Sequence, residues 1–206
     1  MDVEEYKRTR YKGIDQKVVN KRERKILEKI FESIEEKSIS ILDVPCGYGR
    51  FSELLLKKSL NLTSADVSFP MVLTTRKYSL PTNSPHHFLV GDIKHLPLKD
   101  NSFDCIVTIR LFQHILHSSA RFQILKELHR VAKKIVILSF YRYNLLHSVE
   151  RWVRCRIKNV NKKISMLPLG AFEKELSSIG FKGLKLFPVM RYFHAHNIVL
   201  LQKFKP

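Results

Sequence analysis

The stretch Ile41-Leu42-Asp43-Val44-Pro45-Cys46-Gly47-Tyr48-Gly49 decides the fold. Ile39–Val44 reads as a short buried strand, and Pro45 breaks it. Two of the chain's seven glycines then fall within five residues. Gly47 and Gly49 give the turn access to positive φ and leave room for a ligand to approach the backbone. Beyond the turn, Phe51, Leu54 and Leu55 mark one face of a helix. Strand, glycine turn and helix in this order are the opening unit of a parallel α/β sheet.

The same alternation continues outward. Asn61–Val67, His87–Val90, Phe103–Ile109 and Lys134–Phe140 read as strands. Met71–Lys77 and Ser119–Val131 read as helices, the second with Phe122, Leu125, Leu128 and Val131 on one side. Upstream, Ile26, Leu27, Ile30, Phe31 and Ile34 follow Asn20 at helical spacing, and residues 1–19 show no clear period. Downstream, Leu145, Val149, Trp152, Val153 and Ile157 form an apolar stripe. Phe172, Leu176 and Ile179 mark a further helix, with Gly180 placed as its cap. Leu184–Met190 and Asn197–Phe204 close the chain as an antiparallel hairpin. The expectation is one domain: an α/β, Rossmann-like, doubly wound, seven-stranded and mostly parallel sheet. All parallel strand ends then share one rim, where ligands of such sheets bind.

Composition narrows the function classes. With 206 residues, 44% apolar and 27% charged, the chain can bury a large core, which excludes disorder throughout. Ile135–Leu138 and Ile198–Leu201, the longest aliphatic runs, fall far short of the ~20 residues a bilayer requires. The start, MDVEEYKRTRYK, is too charged for a secretory signal. Three cysteines, Cys46, Cys105 and Cys155, with no CxxC pair, argue against a disulfide scaffold or zinc and favour a reducing cytoplasm. The formal charge of +18 is uneven: residues 141–206 carry 13 basic and 3 acidic side chains. Such a field favours anionic partners.

Further polar residues fall at predicted strand ends. Asp66 closes the second strand, where a carboxylate accepts two hydrogen bonds from a vicinal diol such as ribose. Gly91-Asp92-Ile93 follows the third, where an acid and a backbone N–H can read an adenine edge. Leu96-Pro97-Leu98 and Asn101-Ser102-Phe103-Asp104 lead into a strand that ends at Arg110-Leu111-Phe112-Gln113-His114. His114 is the best general-base candidate, because its pKa suits neutral pH, and Gln113 can orient a substrate oxygen.

In this order and spacing the motifs resemble the class I S-adenosylmethionine-dependent methyltransferases, nearest the small-molecule branch with ubiquinone-biosynthesis-type enzymes. The resemblance covers residues 39–140 well and the remainder loosely. It implies S-adenosyl-L-methionine as cofactor and no metal. Asp43, Cys46, Gly47, Tyr48 and Gly49 match the Asp/Glu-x-x-x-Gly-x-Gly loop around the methionine portion. Pro45-Cys46 stands where the family more often has small residues. Asp66 matches the acid on the ribose, Val67 its neighbour beside the adenine, and Met71 an apolar residue near the base. Asp92 and Ile93 match the adenine-edge pair. Arg110 matches the strand-four end that borders the sulfonium.

The domain then divides into an N-terminal arm and helix (1–38), a cofactor-binding core (39–140), a basic insertion or substrate lid (141–170) and closing helix and strands (171–206). The expected reaction is methyl transfer to a small-molecule or lipid-linked, anionic acceptor. The basic Tyr141–Lys163 segment implies peripheral contact with an anionic membrane surface. Competing readings are an RNA-modifying methyltransferase, a non-catalytic cofactor-binding scaffold and a dinucleotide oxidoreductase. Gly47-x-Gly49-x-x-Ser52 imitates the last only loosely, lacking the third glycine.

Overall fold

In the computed structural model, residues 14–34, 39–79, 85–143, 156, 164–190 and 195–204 are described. Chain order is α1 (Ile14–Glu32), β1 (Ile39–Asp43), α2 (Ser52–Leu56), β2 (Ser59–Asp66), α3 (Phe69–Lys77), β3 (His86–Val90), β4 (Phe103–Thr108), a 3-10 turn (Phe112–His114), α4 (Ser118–Val131), β5 (Ala132–Tyr141), α5 (Leu169–Ile179), β6 (Phe181–Pro188) and β7 (His196–Lys203). The seven strands form one sheet, ordered β3-β2-β1-β4-β5-β7-β6. Strands β1 to β5 pair in parallel, whereas β7 runs antiparallel between β5 and β6. The expected doubly wound sheet with its C-terminal hairpin is therefore present.

Two apolar layers bury the two faces, because successive strand residues point to opposite sides. Leu42, Ile106, Val136, Leu138 and Val199 pack under α4 and α5, against Leu125, Leu128, Phe172 and Leu176. Their chain neighbours Ile41, Cys105, Val107, Ile137 and Ile198 pack under α1 and α2, against Leu27, Ile30, Leu54 and Leu55. Strand order reverses between β1 and β4: the chain leaves β1 toward β2 and β3, then returns to pair β4 with β1. A crevice forms at such a switch point, outside the strand C-termini.

Some boundaries differ from the sequence reading. Helix α1 starts at Ile14, not at Asn20. The hairpin strands begin earlier than expected, β6 by three residues and β7 by one. The β6 shift has a local cause: pairing with β7 slips between Lys182 and Lys185, around Gly183 at φ +67. A bulge breaks the alternation on which the sequence reading relied. Gly180 caps α5 in the left-handed conformation, φ +106, as expected. The basic Tyr141–Lys163 segment lies outside the described residues except for 141–143 and Arg156, as do residues 1–13 of the arm.

Candidate functional site

The crevice is a cleft of about 330 Å³ at the C-terminal ends of β1, β2 and β4. Asp43, Cys46, Gly47, Tyr48, Asp66, Met71, Arg110 and His114 all line it, so most sequence candidates converge. It is framed further by Arg50, Ser68 and Leu111, which the sequence reading did not select.

The turn after β1 is fixed by its neighbours. The Cys46 amide donates to the Ala65 carbonyl at 2.8 Å, which ties the turn to β2. Asp66 accepts the Gly47 N–H through Oδ2 and the Ser68 N–H through Oδ1, each at 2.9 Å. Thr75 Oγ1 of α3 donates to the Gly47 carbonyl at 2.8 Å. Gly47 and Gly49 have φ of +55 and +77, which glycine reaches without strain. A Cβ on Gly49 would meet Thr75 Cγ2 at 2.9 Å and Ser52 Oγ at 3.0 Å, whereas one on Gly47 would meet open space. Gly49 thus serves packing behind the loop, and Gly47 leaves room in the cleft.

Two carboxylates contrast within this cleft. Asp66 spends one lone pair of each oxygen on backbone amides and keeps the others for a ligand. Asp43 is buried, and its Oδ2 has no hydrogen-bond partner among the described residues. Burial pushes the Asp43 carboxyl up to about 8; Arg50 opposes that shift and Asp66 adds to it. An orphaned buried carboxylate is costly unless something meets it, so its place in the cleft fits a bound cation or ammonium. Burial and then Asp43 also push the Cys46 thiol upward, the opposite of an activated nucleophile.

On the other side, Arg110 follows β4 with a left-handed backbone, φ +64, and its amide donates to Ser139 Oγ at 2.7 Å. Its Nε donates to Glu23 Oε1 at 2.7 Å and Nη2 to Glu23 Oε2 at 3.3 Å. Arg50 Nη1 bonds to the same Glu23 carboxylate and to Asn20 Oδ1 at 3.0 Å. Glu23 is fully buried. Burial alone would raise its carboxyl, but Arg50, Arg110 and His196 together hold it below the ordinary carboxylate range.

His114 is exposed on the rim of the cleft. Gln113 is buried and not among the lining residues: its Nε2 donates to the Arg110 carbonyl at 2.7 Å and sits 3.3 Å from His114 Nε2. An amide nitrogen only donates, so in that contact His114 Nε2 stands as the acceptor. Gln113 therefore sits behind His114 and off the cleft wall. Val67 is 69% exposed, beyond the cleft. Asp92 and Ile93 also lie outside it, at the end of β3 on the same rim. Asp92 Oδ1 accepts the Lys94 amide at 3.0 Å, and the adjoining Gly91 amide reaches the Asp66 carbonyl at 3.0 Å. Among the described residues no cluster of three His, Cys, Asp or Glu side chains is placed to hold a metal.

Glu23 was the main omission. A signal for it existed: Gln16, Asn20 and Glu23 follow spacings of four and three, in the middle of the apolar stripe of Val19, Leu27 and Ile30. Polar side chains inside a buried face require partners.

Residues 42–140 match a family model described as a methyltransferase domain. That segment, just under half of the chain, is similar to a methyltransferase domain, and the sheet has the Rossmann-like fold of the solved methyltransferases it resembles. Among solved structures, the chain is similar to magnesium protoporphyrin IX methyltransferase from Synechocystis with bound S-adenosylhomocysteine. The TM-score is 0.76 at 17% identity, over 93% of this chain and 88% of that one. Among curated proteins, it is 31% identical over 100 residues to the ubiquinone biosynthesis O-methyltransferase of Hydrogenovibrio crunogenus, 45% of this chain and 41% of that protein. It is 40% identical over 67 residues to the malonyl-[acyl-carrier protein] O-methyltransferase of Buchnera aphidicola, 32% of this chain and 26% of that protein. The two curated matches span less than half of each relative.

Proposed function

We propose that the protein is an S-adenosylmethionine-dependent methyltransferase that acts on a small-molecule or lipid-linked, anionic acceptor by in-line displacement. The observation that carries this reading is the cleft itself, which gathers Asp43, Asp66 and the Gly47 turn at the switch point of the sheet. The structural neighbour with bound S-adenosylhomocysteine supports the choice of cofactor. When bound, S-adenosylmethionine supplies a methyl group on a sulfonium. Asp66 holds the ribose hydroxyls, Asp43 with the turn holds the methionine end, and Met71 packs near the base. Val67, Asp92 and Ile93, on the rim next to Asp66, take the adenine edge.

Arg110, at the end of β4, borders the sulfonium, and His114 faces the acceptor. Holding the acceptor in line with the methyl group supplies roughly 7–11 kcal/mol in favourable cases. For a hydroxyl acceptor, His114 Nε2 receives the proton after giving up its long contact with Gln113. The charge of +18 supports an anionic partner, and its concentration in residues 141–206 supports contact of the basic segment with an anionic membrane surface. With only three cysteines, the setting is cytoplasmic. No helix among the described residues is long and apolar enough to cross a membrane.

Calorimetry with S-adenosylmethionine and S-adenosylhomocysteine tests the reading, with NAD as control and Asp66→Ala as the variant. Micromolar binding lost in the variant is expected. A folded protein that binds neither overturns it. Transfer of label from S-adenosylmethionine to small acids, and not to RNA, separates the acceptor classes; salt-sensitive RNA binding with transfer would replace the small-acceptor reading.

A further inference from the structure

We propose that the open edge of β3 pairs antiparallel with the β3 of a second copy of this chain, about a twofold axis at Phe88. The proposal goes beyond the cofactor reading and does not rest on it. The sheet has two edge strands, β3 and β6, and they are finished differently. An unprotected edge presents a row of unpaired N–H and C=O groups, which proteins guard with lysines, prolines or bulges. β6 carries all three: Lys182 and Lys185, Pro188, and the bulge around Gly183. β3 is His86-His87-Phe88-Leu89-Val90. It contains no Lys, Arg, Asp, Glu or Pro, and its register with β2 runs unbroken. Among the described residues no strand pairs with its outer side.

The flank around that edge is apolar. Ten large apolar side chains are exposed among the described residues, and five of them, Val67, Phe69, Leu73, Tyr78 and Val90, belong to the stretch 67–90 that runs through α3 to β3. Phe69 and Leu73 lie one helical turn apart on the outer face of α3, which packs on β2 and β3. Apolar surface gathered beside an open edge marks a protein contact. The strand itself selects a second copy as the occupant. The Leu62 amide donates to the Pro85 carbonyl at 2.9 Å, and the Gly91 amide donates to the Asp66 carbonyl at 3.0 Å. Backbone groups of alternate residues turn to opposite sides, so those of His86, Phe88 and Val90 point away from β2. That set is symmetric about Phe88. Laid antiparallel on itself, Phe88 meets Phe88 and His86 meets Val90, each as a pair that exchanges two hydrogen bonds. The facing side chains are then ring on ring and imidazole on valine, with no like charges opposed. His86 stays neutral: burial, and then His87, lower it to about 4, and Ser64 and Ser79 hold its ring nitrogens at 2.9 and 2.6 Å. The same operation on β6 would bring Lys182 and Lys185 of both copies to the junction. A chain of charge +18 repels its own copy, so an uncharged edge is where contact costs least. The resulting interface is self-complementary, as a closed twofold dimer requires.

Sedimentation equilibrium of the full chain tests this. Wild type should dimerise with a Kd of about 10 µM or tighter. The dimer should tighten several-fold between about 0.05 and 0.3 M salt, because screening weakens the repulsion between two chains of like charge. Val90→Lys, at a position 46% exposed, copies the guard found on β6. It should weaken the dimer at least about tenfold. Phe204→Lys, exposed just beyond β7, should leave it unchanged. Phe88→Cys reports the axis separately. Facing Cα atoms in such a pair lie about 5.5 Å apart, within disulfide reach, so mild oxidation should link two copies far more than it links wild type. A wild type that stays monomeric at about 100 µM overturns the proposal. So does a dimer that Val90→Lys leaves intact, that rising salt dissolves, or that Phe88→Cys does not link.

Discussion

Arginines meet carboxylates at both rims of the sheet, and the two clusters are built differently. At the rim opposite the cleft, Arg130 spends its guanidinium on Glu127 at 2.7 and 2.9 Å, Asp100 at 2.6 Å and the carbonyls of Leu96 and Leu98 at 3.1 and 2.8 Å. Glu127 also takes the Leu96 amide at 2.7 Å, so this cluster staples the loop after β3 onto α4. Its hydrogen bonds, Arg130 first, hold the Glu127 carboxyl below its usual range. Here each charge is met by an opposite one or by backbone. At the cleft, two arginines share one buried glutamate while a buried aspartate stays unpaired. A fold that needed only stability would have closed Asp43 onto Arg50. The unsatisfied Asp43 Oδ2 supports the proposal that the cleft is the working end, since a buried carboxylate oxygen without a partner costs stability.

The contrast can be broken most severely at Glu23. Glu23→Leu leaves two guanidiniums without their shared buried partner and should cost about 3–5 kcal/mol in denaturant unfolding. A loss below about 1 kcal/mol would mean the cluster is solvated and the contrast false.

Gly49→Ala comes next. Its φ of +77 and the 2.9 Å approach to Thr75 predict a loss of roughly 1–3 kcal/mol, with cofactor affinity falling as well. Gly47→Ala, with open space around its Cβ, should cost about 1 kcal/mol and act mainly on binding.

Asp43→Asn should move stability and binding in opposite directions. The folded state raises this carboxyl from 3.8 to about 8, so its contribution is most favourable below pH 4 and declines as pH rises toward 8. The amide removes that penalty and should stabilise the protein by about 1–2 kcal/mol at pH 8, while S-adenosylhomocysteine binding weakens. In wild type, affinity should fall as pH drops below about 8, because Asp43 takes up a proton and no longer meets an ammonium. Affinity that is flat from pH 6 to 9 would remove Asp43 from the site.

The smallest effect belongs to the staple. Arg130→Ala loses contacts that are partly exposed and should cost about 1 kcal/mol, with S-adenosylhomocysteine binding unchanged. Altered binding would show that the two rims are coupled.

Legibility followed sequence distance. The Asp43–Gly49 turn and Asp66 were readable because strand, breaker and acid occur at short, regular intervals. Convergence of Met71, Arg110 and His114 followed from one rule, that parallel strands end on a common rim. Gln113, expected to orient a substrate oxygen, is buried behind His114, because a 3-10 turn points adjacent residues in different directions. The Gly183 bulge displaced the start of β6.

By itself, the sequence determined the parallel sheet, its hairpin, the glycine turn and the acids at strand ends, since each is written in local period or local backbone need. Only the tertiary structure decided which charges pair. Glu23 and Arg110 are 87 residues apart, and nothing in either neighbourhood announces the other. Their bond exists because α1 packs its Val19, Leu27 and Ile30 face on the sheet, carrying Glu23 into the same buried layer. Burial then strengthens the pairing of charges that do meet and leaves Asp43, whose Oδ2 has no hydrogen-bond partner among the described residues, at about 8.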